Sequence, residues 1–156
     1  MTSILFVCMA NRYRSPIAEA CFKAETIARK ENLNTSSAGT WTKDGLPPMP
    51  NARKQAEELG LDIQKHRSRV VTKEILEEAD LILVMEQGQK EALFNEYPQV
   101  KDKIYTLSEA TLGIPYNIPD PVEHKDENNI PAEICDLIQK KYDKIITLLS
   151  NTMKVG

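Results

Sequence analysis

Apolar and polar positions alternate along the chain with two different periods. Ile4-Leu5-Phe6-Val7 is an unbroken apolar run rich in β-formers, the pattern of a strand covered on both faces in a parallel sheet. It ends at Cys8. From Ser15 the spacing becomes helical, with Ile17, Ala20, Cys21, Ala24, Ile27 and Ala28 recurring every three or four residues to about Lys30. Ser15 suits the N-cap of this helix and Pro16 its first helical position. Asn34 to Ala38 is compatible with a second strand. Beyond Gly39, the cluster of Gly45, Pro47, Pro48 and Pro50 excludes regular structure and predicts a long exposed loop. Asn51 to Leu59 reads as a helix stopped by Gly60, and Thr72 to Ala79 as another with Thr72 as its cap. Leu81-Ile82-Leu83-Val84 is the clearest strand. Gln87 to Tyr97 reads as a helix closed by Pro98, and Lys103 to Leu107 as a weaker strand. Pro131 to Leu149 predicts one long terminal helix, with Ile134, Leu137, Ile138, Tyr142, Ile145, Ile146 and Leu149 on a single face. Strands alternating with helices predict a doubly wound α/β sheet.

Composition narrows this picture. The 156 residues suit one domain, 1–156, large enough to bury a core without staples. Twenty basic residues against 23 acidic ones give a net charge of −3. No run of like charge suggests a nucleic-acid arm or a membrane-binding patch. The apolar stretches fall short of a membrane span, and the N-terminus lacks the pattern of a signal peptide, so a cytoplasmic protein is expected. Cys8, Cys21 and Cys135 are odd in number and lack metal-ligand spacing; three free thiols and no metal are expected.

Candidate chemistry concentrates in Val7-Cys8-Met9-Ala10-Asn11-Arg12-Tyr13-Arg14-Ser15-Pro16, where an arginine follows a cysteine by six positions between a strand and a helix start. The spacing alone is weak, and its context supplies the argument. A loop of this length can turn its backbone N–H groups inward at the positive end of a helix dipole, which makes an anion site that fits a phosphate dianion. Met9, Ala10, Asn11, Arg12, Tyr13, Arg14 and Ser15 would line it. At its base, Cys8 would feel the N–H groups, the dipole and Arg14, all favouring thiolate over thiol. Arg14 can hold two phosphoryl oxygens in its planar fork and offset charge that develops in the transition state. Ser15 can donate to the sulfur and make it a better leaving group. The plain alternative is a small apolar residue at a strand end, a solvated arginine and a helix cap. A leaving oxygen or nitrogen needs a proton, and Ile118-Pro119-Asp120-Pro121, stiffened by its prolines, can hold the Asp120 carboxyl over a pocket. Asp-Pro is also ordinary turn chemistry.

These residues resemble the low-molecular-weight protein-tyrosine phosphatase family over nearly the whole chain. The matching regions are Cys8 to Pro16 with Ile17-Ala18-Glu19-Ala20, Ser36-Ser37-Ala38-Gly39-Thr40, Gly60-Leu61-Asp62 with His66 to Thr72, Ala79 to Met85, and Asp120-Pro121. The resemblance implies a three-layer α/β fold of the phosphotyrosine protein phosphatase I type: a four-stranded parallel sheet of order 2-1-3-4 with helices on both faces. It implies Cys8 as nucleophile, Arg14 as phosphate clamp, and Asp120 as general acid and then general base. Asn11, Ser15, Ser37 and His66 would form the network that holds the loop. It implies no cofactor; a phosphorylated protein or small phosphomonoester as substrate; inhibition by phosphate or vanadate; and a monomer or weak dimer.

Departures from the family pattern cluster at the substrate. Ala10 stands where Gly is usual, Arg12 where a small apolar residue or Thr is usual, and Tyr13 replaces a second cysteine that commonly protects the nucleophile. Val122 and Glu123 replace an aromatic pair that stacks on the substrate ring. Two roles stay open for Arg12 and Tyr13: a new wall or second positive charge for an acidic substrate, or a solvated rim. Trp41 and Val122 are the remaining candidates for a pocket wall. The resemblance admits two alternatives: a protein-arginine phosphatase, against which the long cation at Arg12 argues, and a phosphate-binding or phosphoprotein-binding module without turnover.

Overall fold

The computed structural model describes residues 1–121 and 129–155. Four strands form a wholly parallel sheet in the expected order: β2 (Asn34–Gly39), β1 (Ser3–Cys8), β3 (Leu81–Val84) and β4 (Ile104–Thr106). All six residues of β1 are buried, as its unbroken apolar run requires at the centre of a sheet. Its neighbours fix the register, with Cys8 opposite Gly39 and Val7 opposite Val84.

Successive side chains leave opposite faces of a strand, so the run Ile4 to Cys8 divides between two cores. Ile4, Phe6 and Cys8 join Leu81, Leu83 and Met85 under α1 (Arg14–Ala28), α2 (Pro50–Glu58), α5 (Leu107–Leu112), α6 (Ile130–Lys140) and α7 (Tyr142–Val155). Leu5 and Val7 join Ile82 and Val84 under α3 (Lys73–Glu78) and α4 (Gln87–Glu96). Helices therefore cover both faces, giving the three expected layers. No helix among the described residues is long and apolar enough to cross a membrane.

Three expectations require correction. The helix expected from Pro131 to Leu149 is two helices, with Lys141 between α6 and α7. Its apolar face nevertheless continues, because Ile134, Ile138, Tyr142, Ile145 and Leu149 all enter the same core. The short helix α5 was not expected. It follows β4 directly, capped by Thr106, whose hydroxyl accepts the Glu109 N–H while the Glu109 carboxylate accepts the Thr106 N–H. Gly113, at φ 75°, closes it. Thirdly, α1 begins at Arg14 rather than at Pro16, and no side chain caps it. Ser15 lies inside the first turn with its hydroxyl turned to the loop.

Candidate active site

The C-terminal end of β1 opens into the loop of residues 9–13, and α1 follows at once. The first turn of α1 leaves the N–H groups of Arg14 and Ser15 outside the helix ladder, at the positive end of its dipole. Cys8 Sγ lies 3.0 Å from Ser15 Oγ and accepts the Asn11 N–H at 3.3 Å. The Asn11 N–H and the Ser15 hydroxyl thus converge on the sulfur, and in the Cys8–Ser15 pair either atom can donate.

Asn11 shapes the loop. Its φ of 57° lies in the left-handed region, which asparagine tolerates better than most residues. Its Nδ2 donates to Ser15 Oγ at 2.8 Å and to Ser37 Oγ at 3.0 Å, and its Oδ1 accepts the Arg69 N–H at 3.0 Å. His66 Nε2 lies 2.7 Å from the Asn11 carbonyl. The four residues expected to form a network, Asn11, Ser15, Ser37 and His66, are therefore joined, with Glu19 accepting from Ser37 at its far end. Gly39 closes the loop from behind. A Cβ there would lie 2.6 Å from the Met9 carbonyl oxygen, so only glycine lets the loop rest against the end of β2.

The Arg14 guanidinium is 98% buried as a side chain, and a buried cation needs partners. Its Nη1 donates to Glu86 and, at 2.8 Å, to the Ile118 carbonyl; its Nη2 lies 3.7 Å from Asp120 Oδ2. Ile118 is held in turn by its N–H, which donates to the Met85 carbonyl. Arg14, in the same short segment as Cys8, is thus joined to Glu86 and Asp120 from two distant parts of the chain.

Glu86 was missed in the sequence. It lies two residues beyond β3, at the carboxyl edge of the sheet where ligands of open α/β folds bind. That position was the available signal. Glu86 also starts α4, through a reciprocal capping arrangement with Gln89.

Of the two roles open for Tyr13, neither holds. The ring is buried, its hydroxyl donates to Gln55 on α2, and it belongs to the core. Arg12 remains at the surface, with Nε donating to the Pro47 carbonyl at 2.7 Å. Trp41 is 82% exposed beside the loop, its N–H donating to the Met9 carbonyl. Met9 and Trp41 line a groove of about 490 Å³ with Glu86, while Ala10, Arg12 and Trp41 line a second one. Val122 lies outside the described residues. Cys21 and Cys135 are buried together between α1 and α6. Their mutual hydrogen bond, with burial, pushes the Cys21 thiol well above its ordinary value.

Comparison with known proteins agrees with this fold. The family model for low molecular weight phosphotyrosine protein phosphatase matches residues 3–155. A protein-arginine-phosphatase of Bacillus subtilis is 36% identical over 76% of this chain and 78% of its own. The low molecular weight protein-tyrosine-phosphatase Ptp of Acinetobacter johnsonii is 33% identical over 85% of this chain and 92% of its own. Among solved structures, the low molecular weight protein tyrosine phosphatase from T. tengcongensis superposes with a TM-score of 0.83 at 34% identity, covering 94% of this chain and 99% of that one. A YwlE mutant from B. subtilis gives 0.79 at 28% identity, covering 99% of each chain. The chain belongs to the low-molecular-weight protein-tyrosine phosphatase family of cysteine-based phosphatases.

Proposed function

We propose that Cys8, Arg14 and Asp120 carry the phosphatase reaction, and that the substrate is a phosphotyrosine-containing protein. The Cys8 sulfur attacks phosphorus, forming an S–P bond as the P–O bond to the leaving group breaks. Asp120 gives its proton to the departing oxygen. Arg14 holds two equatorial oxygens, aided by the backbone N–H groups of the loop. A water then attacks the phosphocysteine; Asp120 takes its proton, and the sulfur leaves as thiolate, accepting from Ser15 and the Asn11 N–H. The observation that carries this reading is the convergence of the Asn11 N–H and the Ser15 hydroxyl on Cys8 Sγ, with Asp120 Oδ2 3.7 Å from Arg14 Nη2. Binding alone would require neither a thiol nor a positioned acid.

One finding favours a second reading: the similarity to protein-arginine-phosphatases. Against it stands Arg12, a fixed cation on the surface of the loop, which would repel a guanidinium group. Hydrolysis of para-nitrophenyl phosphate by wild type, Cys8→Ser and Asp120→Ala tests the mechanism. We expect the first change to abolish turnover and the second to reduce kcat by about 10²–10⁴-fold. Unchanged turnover in either variant would remove that residue from the mechanism. Matched phosphotyrosine and phosphoarginine peptides test the substrate, with the tyrosine peptide expected to be preferred.

A further inference from the structure

Beside the phosphate loop lies a groove of about 570 Å³ whose lining includes Ala10, Arg12, Trp41, Lys43 and Leu46. Arg12 is fixed at both ends. Its carbonyl accepts the Met49 N–H at 2.9 Å, and its Nε donates to the Pro47 carbonyl at 2.7 Å. The Nε bond consumes one guanidinium donor and leaves the terminal Nη fork without an acceptor among the described residues. Lys43 is anchored through its backbone, whose carbonyl accepts the Ser68 hydroxyl at 2.6 Å. Its ammonium forms no ion pair or hydrogen bond among the described residues, and the side chain is exposed. Asp44 is the nearby carboxylate, with one oxygen occupied by the Val70 N–H at 2.8 Å. Two cationic residues thus line one groove, on a chain whose net charge is −3.

We propose that this groove is an anion subsite, and that it takes a second acidic group from the substrate: a carboxylate or phosphate on a residue close to the phosphorylated one. The proposal rests on the phosphatase reading above and adds a substrate class to it. Arg12 belongs to the phosphate loop itself, two residues before the clamp, so a group bound at its fork lies beside the reacting phosphate. The guanidinium fork matches a carboxylate or phosphate in bidentate fashion, and its fixed stem reduces the entropy lost when the pair forms. Lys43 supplies a second point charge for whichever anion enters. Pairing at such an exposed site weakens with salt.

The test uses three phosphotyrosine peptides, identical except for a flanking residue that is glutamine, glutamate or phosphoserine. Each is assayed with wild type, Lys43→Gln, Arg12→Gln and the double variant, with para-nitrophenyl phosphate as a reference for the phosphate chemistry. Wild type should favour an acidic peptide over the glutamine peptide by about tenfold in kcat/KM, chiefly through KM, at low salt. Each single change should reduce that ratio, and the double change should bring it to about one. Comparison of the glutamate and phosphoserine peptides identifies which anion the groove prefers. A wild-type ratio of one, or a ratio that survives the double change, overturns the subsite. Absence of turnover on every substrate would refute the catalytic reading separately. In that case the affinities of the same peptides, measured by calorimetry with Cys8→Ser and Cys8→Ser combined with the double change, decide the subsite by the same ratio.

Discussion

Asn11 contributes its N–H to the sulfur and three side-chain hydrogen bonds to the surrounding network, from a backbone conformation that few residues adopt cheaply. Its two functions can be separated. Asn11→Gly removes the side-chain bonds and keeps φ positive without strain, whereas Asn11→Ala removes the bonds and adds strain. At about 1 kcal/mol per hydrogen bond, the glycine variant should lose about 2–3 kcal/mol, and the alanine variant about 1 kcal/mol more. Thermal unfolding monitored by circular dichroism measures both, and equal midpoints would show that φ carries no strain at this position. Cys8, Arg14 and Ser15 were legible in the sequence because they occupy one short segment between a strand and a helix. Glu86 was not, because its link to Arg14 spans 72 positions and its place just beyond β3 is a signal that only the sheet order makes readable. The direction of Tyr13 was equally hidden: its fate depends on Gln55, in a helix that the loop's own sequence does not specify.

Among the secondary elements, α5 depends on its first turn. The Glu109 carboxyl accepts from the Thr106 N–H and hydroxyl and pairs with Lys90 at 2.8 Å. Burial alone would raise its pKa, but the Lys90 ammonium and the Thr106 donors outweigh that and hold it below the ordinary 4.5. A carboxyl whose folded pKa is depressed stabilises the fold above its unfolded pKa. That contribution is lost as pH falls from about 4.5 through the lower folded value. Glu109→Gln should therefore cost stability at pH 7 and cost progressively less toward pH 3, as read from urea midpoints across that range. A difference independent of pH would exclude the carboxylate as its source. The same helix shows what the sequence withheld. Six residues between a strand and a glycine offer too few turns for a period to register, and the weak strand expected to Leu107 absorbed its first residue. The longer helices were legible because their apolar stripes span several turns. The break at Lys141 escaped notice for a related reason: the stripe continues across it, with no glycine or proline to mark the change.

Across the molecule, all three cysteines are buried, and they differ in what meets the sulfur. Cys21 and Cys135 face each other inside the core, where their hydrogen bond and burial keep the Cys21 thiol protonated. Cys8 ends a strand at the mouth of the anion loop. Iodoacetamide near neutral pH should therefore modify one thiol, Cys8, and phosphate should slow the reaction; in denaturant all three should react. Mass spectrometry of tryptic peptides reads the outcome, and labelling of Cys21 or Cys135 in native protein would show that the α1–α6 interface opens. Sheet order explains why the site lies where it does. With β1 central, its loop is flanked by the ends of β2 and β3, which deliver Gly39 on one side and Glu86 on the other. The buried Arg14 fastens this assembly, reaching the Ile118 carbonyl across 104 positions of sequence. Its partners are synthesised long after the cysteine loop itself. A ribosome-bound chain that has emerged only through β2 carries Cys8 and Arg14 but nothing to seat the guanidinium against, so under the proposed mechanism the capacity to strip phosphate arises only when the distal half docks.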